Sequence, residues 1–267
     1  VFIPDNLRGD SMNLTLYGFL TAAGLFFGML MFIEIGRRIG VARMIRNPDG
    51  LAKGGGTAES AVFGLLGLLI AFTFSGAASR FEERRHLITE ETNHISTAYL
   101  RVALLPSDVQ PEVRELFRRY VDLRISTRVT VAKDAETNAK LAETASLQNE
   151  IWSKCLAASR KADTPATMLM LPALNAMIDI TTTRVAATQN HPPTIIFILL
   201  TSLSFLGALF IGYGEADNKD RDWLHPLIFA AILSMTVYVI IDIEYPRLGL
   251  IRIDDADQVL IDFRHSM

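Results

Sequence analysis

Four stretches of this chain carry no Asp, Glu, Lys or Arg over a length that suits a lipid bilayer. Leu14 to Ile33 is one, Val62 to Ser79 the second and Thr194 to Tyr213 the third. Pro226 to Ile241 is shorter, and Trp223 and Leu224 extend it to a workable span. About 20 apolar residues in helix cross the roughly 30 Å hydrocarbon core. Backbone polar groups in lipid must be paired internally, so each block is expected to be a helix. The spans are set at residues 14–33, 60–79, 194–213 and 223–241, with a polar segment over 80–193 and a C-terminal tail over 242–267. The fold class that follows is an all-α membrane protein with four transmembrane helices and a large helical polar insert between the second and third.

Composition narrows the function. Half of the 267 residues are apolar and the net charge is −3, which argues against a nucleic-acid partner. The single cysteine, Cys155, excludes an intrachain disulfide framework and reads as a buried free thiol. No cleavable leader is expected, because the first apolar block is long and its Arg pair follows rather than precedes it. Met12 reads as a natural start, and no argument rests on residues 1–11.

The first helix is expected to end at Glu34-Ile-Gly-Arg37-Arg38. Pro48-Asp-Gly50 then reads as a turn and Gly54-Gly-Gly56 as a hinge. The glycines are not followed by Lys-Ser or Lys-Thr and are not preceded by a strand, so they are not a phosphate loop. Thr57 or Ser60 suits the N-cap of the second helix, with Glu59 near its positive end. No Pro or Gly interrupts Arg80 to Leu105, so the second helix is expected to run on from Ser60 to Leu105, about 69 Å at 1.5 Å per residue. Pro106 breaks it. Further helices are expected over Pro111 to Val131, Asp134 to Ala162 and Met168 to Gln189, the last with a possible kink at Pro172. The insert has 15 Lys or Arg against 14 Asp or Glu, and its apolar residues recur at helical spacing, as in Val113, Leu116, Phe117, Tyr120 and Val121. Basic residues near the membrane ends number seven on each side, so their count gives no orientation.

The second helix holds the candidate functional residues. At 100° per residue, Ala61, Gly64, Gly67, Ala71, Ser75 and Ala78 share a sector of about 120°. A stripe of small residues lets helices approach closely in lipid, and Gly24 with Gly28 in the first helix form a GxxxG counterpart. Gly64, Leu68 and Phe72 stand at i, i+4, i+8 beside that stripe. Several copies of such a face around an axis would form an apolar constriction, and these gate ions by dewetting. The plainer reading of the same residues is ordinary helix packing. Further along lie Ser79, Glu83, His86 and Glu90, with His94 near them. His86, Glu90 and His94 have metal-ligand spacing, but a solvated face with ion pairs is the simpler account, and no metal or cofactor is expected. If the carboxylates line an ion path they favour cations, and Arg80 and Arg84 point about 100° away.

The stretch Leu65-Leu-Gly-Leu-Leu-Ile-Ala-Phe72-Thr-Phe74-Ser-Gly-Ala-Ala-Ser79-Arg80-Phe81-Glu-Glu-Arg84-Arg85-His-Leu resembles the bestrophin-like domain proteins of bacteria and, more remotely, bestrophin channels. So does Asp242-Ile-Glu244-Tyr-Pro246-Arg-Leu-Gly249, which stands where bestrophins carry an acidic-Pro-aromatic-Gly segment. The resemblance implies a homopentameric ion channel in a bacterial inner membrane, whose partners are the lipid bilayer, further copies of the chain and inorganic ions. It places Phe72 at a neck position, with Leu68 and Gly64 one and two turns before it. Gly64 stands where a bulky apolar residue is expected, which argues against a tight neck. Arg247-Leu248 stands where an aromatic is expected, and nothing matches the acidic calcium clasp of animal bestrophins. The superfamily includes anion- and cation-selective members, so the resemblance does not give the sign of the ion.

Two functions remain open at this level. One is an oligomeric channel along the Gly64/Leu68/Phe72 face. The other is a non-conducting scaffold or sensor whose insert binds a partner, since Glu34, Asp242 and Glu244 sit at helix ends and intramembrane charges usually mark ion paths. An enzyme is not expected, because no nucleophile elbow, phosphate loop or metal motif is present.

Overall fold

A computed structural model describes residues 11–46, 56–127, 135–161, 164–217, 223–246 and 250–267. Eight α-helices occur among them: α1 Ser11–Arg46, α2 Gly56–Arg101, α3 Gln110–Thr127, α4 Ala135–Ser159, α5 Thr164–Gln189, α6 Thr194–Gly214, α7 Leu224–Glu244 and α8 Asp254–Ser266. The described residues contain no strand. Four helices are long and apolar enough to cross a membrane: α1, α2, α6 (within the apolar stretch 168–217) and α7. The chain is thus an all-α membrane protein with a helical insert between its second and third spans. The expected turn at 48–50, the hinge at Gly54 and Gly55, the expected helix bounds at Val131, Asp134 and Ala162, and the segment Arg247 to Gly249 lie outside the described residues.

The chain divides into two compact units, with boundaries at Ser79/Arg80, His191/Pro192 and Leu250/Ile251. The first holds α1, α6, α7 and the N-terminal part of α2. Its core joins Leu25, Met29 and Ile33 of α1, Leu66 of α2, Leu200, Leu203 and Ala208 of α6, and Ala230, Leu233, Val237 and Ile241 of α7. In lipid, tight association comes from close backbone approach rather than from expelling water. Here that approach is between α1 and α6. A Cβ at Gly212 would fall on the Ile33 carbonyl, and one at Gly36 on the Leu209 carbonyl. One turn on, Gly40 lies against Ala216 and Tyr213. The expected pair at Gly24 and Gly28 does something different. Gly28 leaves room for the Phe205 ring, which stacks on Phe32 at 4.7 Å, while Gly24 has nothing within 4 Å.

The second unit is a bundle of the C-terminal part of α2 with α3, α4, α5 and α8. Ile95, Ala98, Tyr99 and Val102 pack with Val113, Leu116, Phe117, Tyr120 and Val121 of α3, Leu147, Ile151 and Cys155 of α4, and Met170, Leu174 and Met177 of α5. Burial of this amphipathic face supplies most of the stability of such helices. The Cys155 thiol is buried and pushed up to about 12 by desolvation, so it stays protonated and inert. Pro172 lies inside α5.

Helix α8 occupies what the sequence suggested was only a tail. Leu260 enters the core, and Phe263 meets Tyr99 edge-on at 6.2 Å. Arg264 makes a two-pronged contact with Asp122 of α3 at 2.7 and 2.9 Å, and that pairing raises the guanidinium pKa further. Tyr99 and Arg118 both donate to the Met267 carbonyl.

Candidate functional site

Helix α2 is the element shared by both units and carries every candidate ion-path residue. It begins at Gly56 with Glu59 in its first turn, where a carboxylate suits the helix dipole. Ser60 does not cap it. Its hydroxyl donates back to the Gly56 carbonyl at 2.6 Å and so belongs to the helix body.

In the membrane unit, α2 packs with one half of its surface. Leu66, Thr73 and Ala77 are buried. Phe63 meets Phe229 edge-on at 5.9 Å and lies against Gly207. The Thr73 hydroxyl is satisfied by the Leu69 carbonyl at 2.6 Å, so it costs little in lipid. The opposite half is open within the chain. Leu68 is 52% exposed and Phe72 is 67% exposed. Ala61, Gly64, Gly67, Ala71 and Ser75 are exposed with them, and Ala78 is half-buried. Among the described residues, no atom lies within 4 Å of a notional Cβ at Gly64 or Gly67. The small-residue stripe and the Gly64/Leu68/Phe72 row therefore share one face that the described helices leave uncovered.

Past Ser79 the helix continues with the same division. Ser79, Glu83 and His86 are exposed and Glu90 is half-buried. The buried side reads Arg84, Leu87, Ile88, Glu91, Thr92, Ile95, Ala98 and Tyr99. Arg84 spends its guanidinium on the carbonyls of Ala187 and Asn190 at 3.2 and 3.0 Å. Arg85 pairs with Glu82 at 2.9 Å. Glu83 makes no ion pair among the described residues, and His86 lies 3.8 Å from Glu90 through Nδ1. No group of three potential metal ligands gathers among the described residues.

The sequence did not single out the clamp behind this face. Glu91 is fully buried, and its carboxylate accepts from Arg124 of α3 at 2.5 Å and from Arg184 of α5. Burial lowers the Arg124 pKa from its ordinary value, with the Glu91 pairing beside it. Beside the clamp, Tyr120, Gln148 and Thr181 form a buried hydrogen-bonded cluster linking α3, α4 and α5. A signal was available: Glu91 sits between Ile88 and Ile95 at helical spacing, where an apolar residue is expected. A carboxylate on a core stripe needs a buried cation.

At the end of α7, Asp242, Glu244 and Pro246 are buried. Asp242 accepts the Leu250 amide at 2.9 Å and so pins the chain leaving the membrane unit. Gly249 of the same motif lies outside the described residues.

Comparison with known proteins gives three findings. The Bestrophin-like domain family matches residues 56–258. No protein of curated function matches. Among solved structures, a bacterial bestrophin homolog from Klebsiella pneumoniae carrying one substitution superposes with TM-score 0.64 at 12% identity, covering 92% of this chain and 98% of that chain. A second substituted form of it gives TM-score 0.60 at 15% identity, covering 90% and 100%. At such identities the likeness speaks for the fold alone.

Proposed function

The chain belongs to the bestrophin-like family, and from that premise we propose that it is an ion channel in which several copies set the open face of α2 around a common axis. One observation carries this reading: a helix bearing a small-residue stripe and two large apolar side chains turns both away from the rest of its own chain. Small residues favour close helix approach, so copies of α2 meet along that stripe. Leu68 and Phe72 then form an apolar neck, with Gly64 leaving it wider at one end. The assembly is a pentamer if it follows the family, and its membrane is a bacterial inner membrane. Further along the same helix, Ser79, Glu83, His86 and Glu90 are the candidate polar residues of the ion path.

The test is access. Phe72→Cys in a Cys155→Ser background, reconstituted in liposomes, is expected to lose ion flux when a charged, membrane-impermeant thiol reagent is added. Modification without loss of flux overturns the neck, and proteoliposomes with no flux under any voltage, pH or calcium condition overturn the channel. A tightly packed assembly with no water path would favour a scaffold or sensor instead.

The side chains beyond the neck set the sign of the ion. Arg84 is turned to the buried side and Arg85 pairs with Glu82, so the acidic groups that this face presents are Glu83 and Glu90. Rings of carboxylates favour cations. The double substitution Glu83→Gln, Glu90→Gln is expected to reduce cation-over-anion permeability by roughly threefold or more, read as a shift in reversal potential in a salt gradient. An unchanged reversal potential removes these residues from the path.

A further inference from the structure

The face that carries Glu83 and Glu90 also carries two imidazoles able to cancel part of their charge: His86, which is exposed, and His94, one turn past Glu90, which is half-buried. His86 stands three residues after Glu83 and four before Glu90. Its Nδ1 is 3.8 Å from the Glu90 carboxylate, and the two side chains are 68% and 43% exposed. Imidazole is the side chain whose ordinary titration falls between pH 5 and 8.

Resting on the channel reading above, we propose that His86 makes conduction sensitive to protons: on protonation it pairs with Glu90 and weakens the attraction of this face for cations. The other charged groups around it leave this control in place. On its own helix, Glu82 is taken by Arg85, Arg84 is buried against the Ala187 and Asn190 carbonyls, and Arg80 is half-buried about 100° round the helix. Of the cations that α3 and α5 send to α2, Arg124 and Arg184 are committed to Glu91 on the buried side, and Arg114 lies over the Tyr99 ring at 5.1 Å. Ile253, just before α8, and Ala256 within it pack against Ile88 there. No side chain of α3, α4, α5 or α8 makes an ion pair with His86 among the described residues.

The exposed pair adds little to folding, so protonation changes the field without unfolding the helix. Counting Glu83, Glu90 and His86, the face goes from two negative charges to one per copy. That change is repeated in every copy, and His86 stands about 4.5 Å and about 6 Å along the helix axis from Glu83 and Glu90, within the roughly 8 Å screening length at physiological salt.

The experiment uses the full chain in liposomes, with potassium flux measured at about pH 7.5 and about pH 5.5, on either side of the imidazole range. Wild type is expected to lose roughly threefold in flux on acidification, while His86→Gln stays level and His86→Lys is low at both pH values. A wild-type flux that does not fall, or a fall that persists in His86→Gln, overturns the proton control and leaves the channel standing. Absence of flux at both pH values overturns the channel and this inference together. Thermal melting of the two variants at about pH 7.5 is expected to match wild type, which separates an effect on ions from one on folding.

Discussion

Glu91→Ala is expected to destabilise the extramembrane unit by about 3–5 kcal/mol, the usual cost of removing one partner from a buried ion pair. The carboxylate is fully buried between the Arg124 and Arg184 guanidiniums. Its loss leaves two cations facing each other away from water. The cost is therefore the stranded charge, which is larger than the worth of the hydrogen bonds themselves. Burial already disfavours the charged form of Arg124. Thermal unfolding of the detergent-solubilised protein would show the loss as a large fall in melting temperature. Glu91→Gln keeps the shape and one acceptor, and should fall between alanine and wild type. The joint replacement Glu91→Met, Arg124→Leu, Arg184→Leu removes all three charges, and an apolar substitute of matching volume often equals or exceeds a buried ion cluster in stability. Recovery to within about 1 kcal/mol of wild type would show that stranded charge, not lost packing, causes the alanine defect. An alanine variant that melts like wild type would mean that the clamp does not hold the bundle.

That clamp also shows where the sequence stopped being readable. The spans were legible because a charge inside lipid is costly, so four uncharged stretches have few other uses. The insert helices were legible because Pro106 and the apolar period mark their ends and faces. Helix ends at the membrane were less so: α1 runs to Arg46, well past the Arg37-Arg38 pair, because a charge ends a hydrophobic span without ending a helix. Helix α8 is less plain in the sequence. Yet Ile253, Ala256, Leu260 and Phe263 recur at helical spacing, and only the short length and flanking aspartates hid the stripe. The glycines teach a different lesson. Helix α1 contains two GxxxG pairs, 24/28 and 36/40, and spacing alone does not say which meets a neighbour. The answer depends on Gly212, a residue far off in sequence. On α2 the row of candidate residues was readable from the 100° step, but its exposure was not, since exposure depends on where Phe63, Leu66 and Ala77 find partners in other helices.

That exposure gives the neck its most discriminating test. Truncating a buried phenylalanine typically costs 3–5 kcal/mol, because a cavity is left behind. Phe72 is 67% exposed within the chain, so Phe72→Ala should cost a single copy little, about 1 kcal/mol or less. If Phe72 lines a shared axis, the effect appears in conduction instead. Removing a ring of phenyl groups widens the constriction and lets water wet it, and the barrier to a bare or partly hydrated ion falls. Flux through reconstituted protein is then expected to rise by roughly tenfold, the change that about 1.4 kcal/mol of barrier produces. Phe63→Ala supplies the contrast on the same helix. Phe63 packs on Phe229 and Gly207, so its loss should lower stability without this rise in flux. The pair of variants separates three arrangements. A side chain on the axis changes conduction and spares folding. One inside the chain's own core does the reverse. If Phe72 faced lipid, its truncation would change neither, and the open face of α2 would be an outer surface of the assembly rather than its conduit.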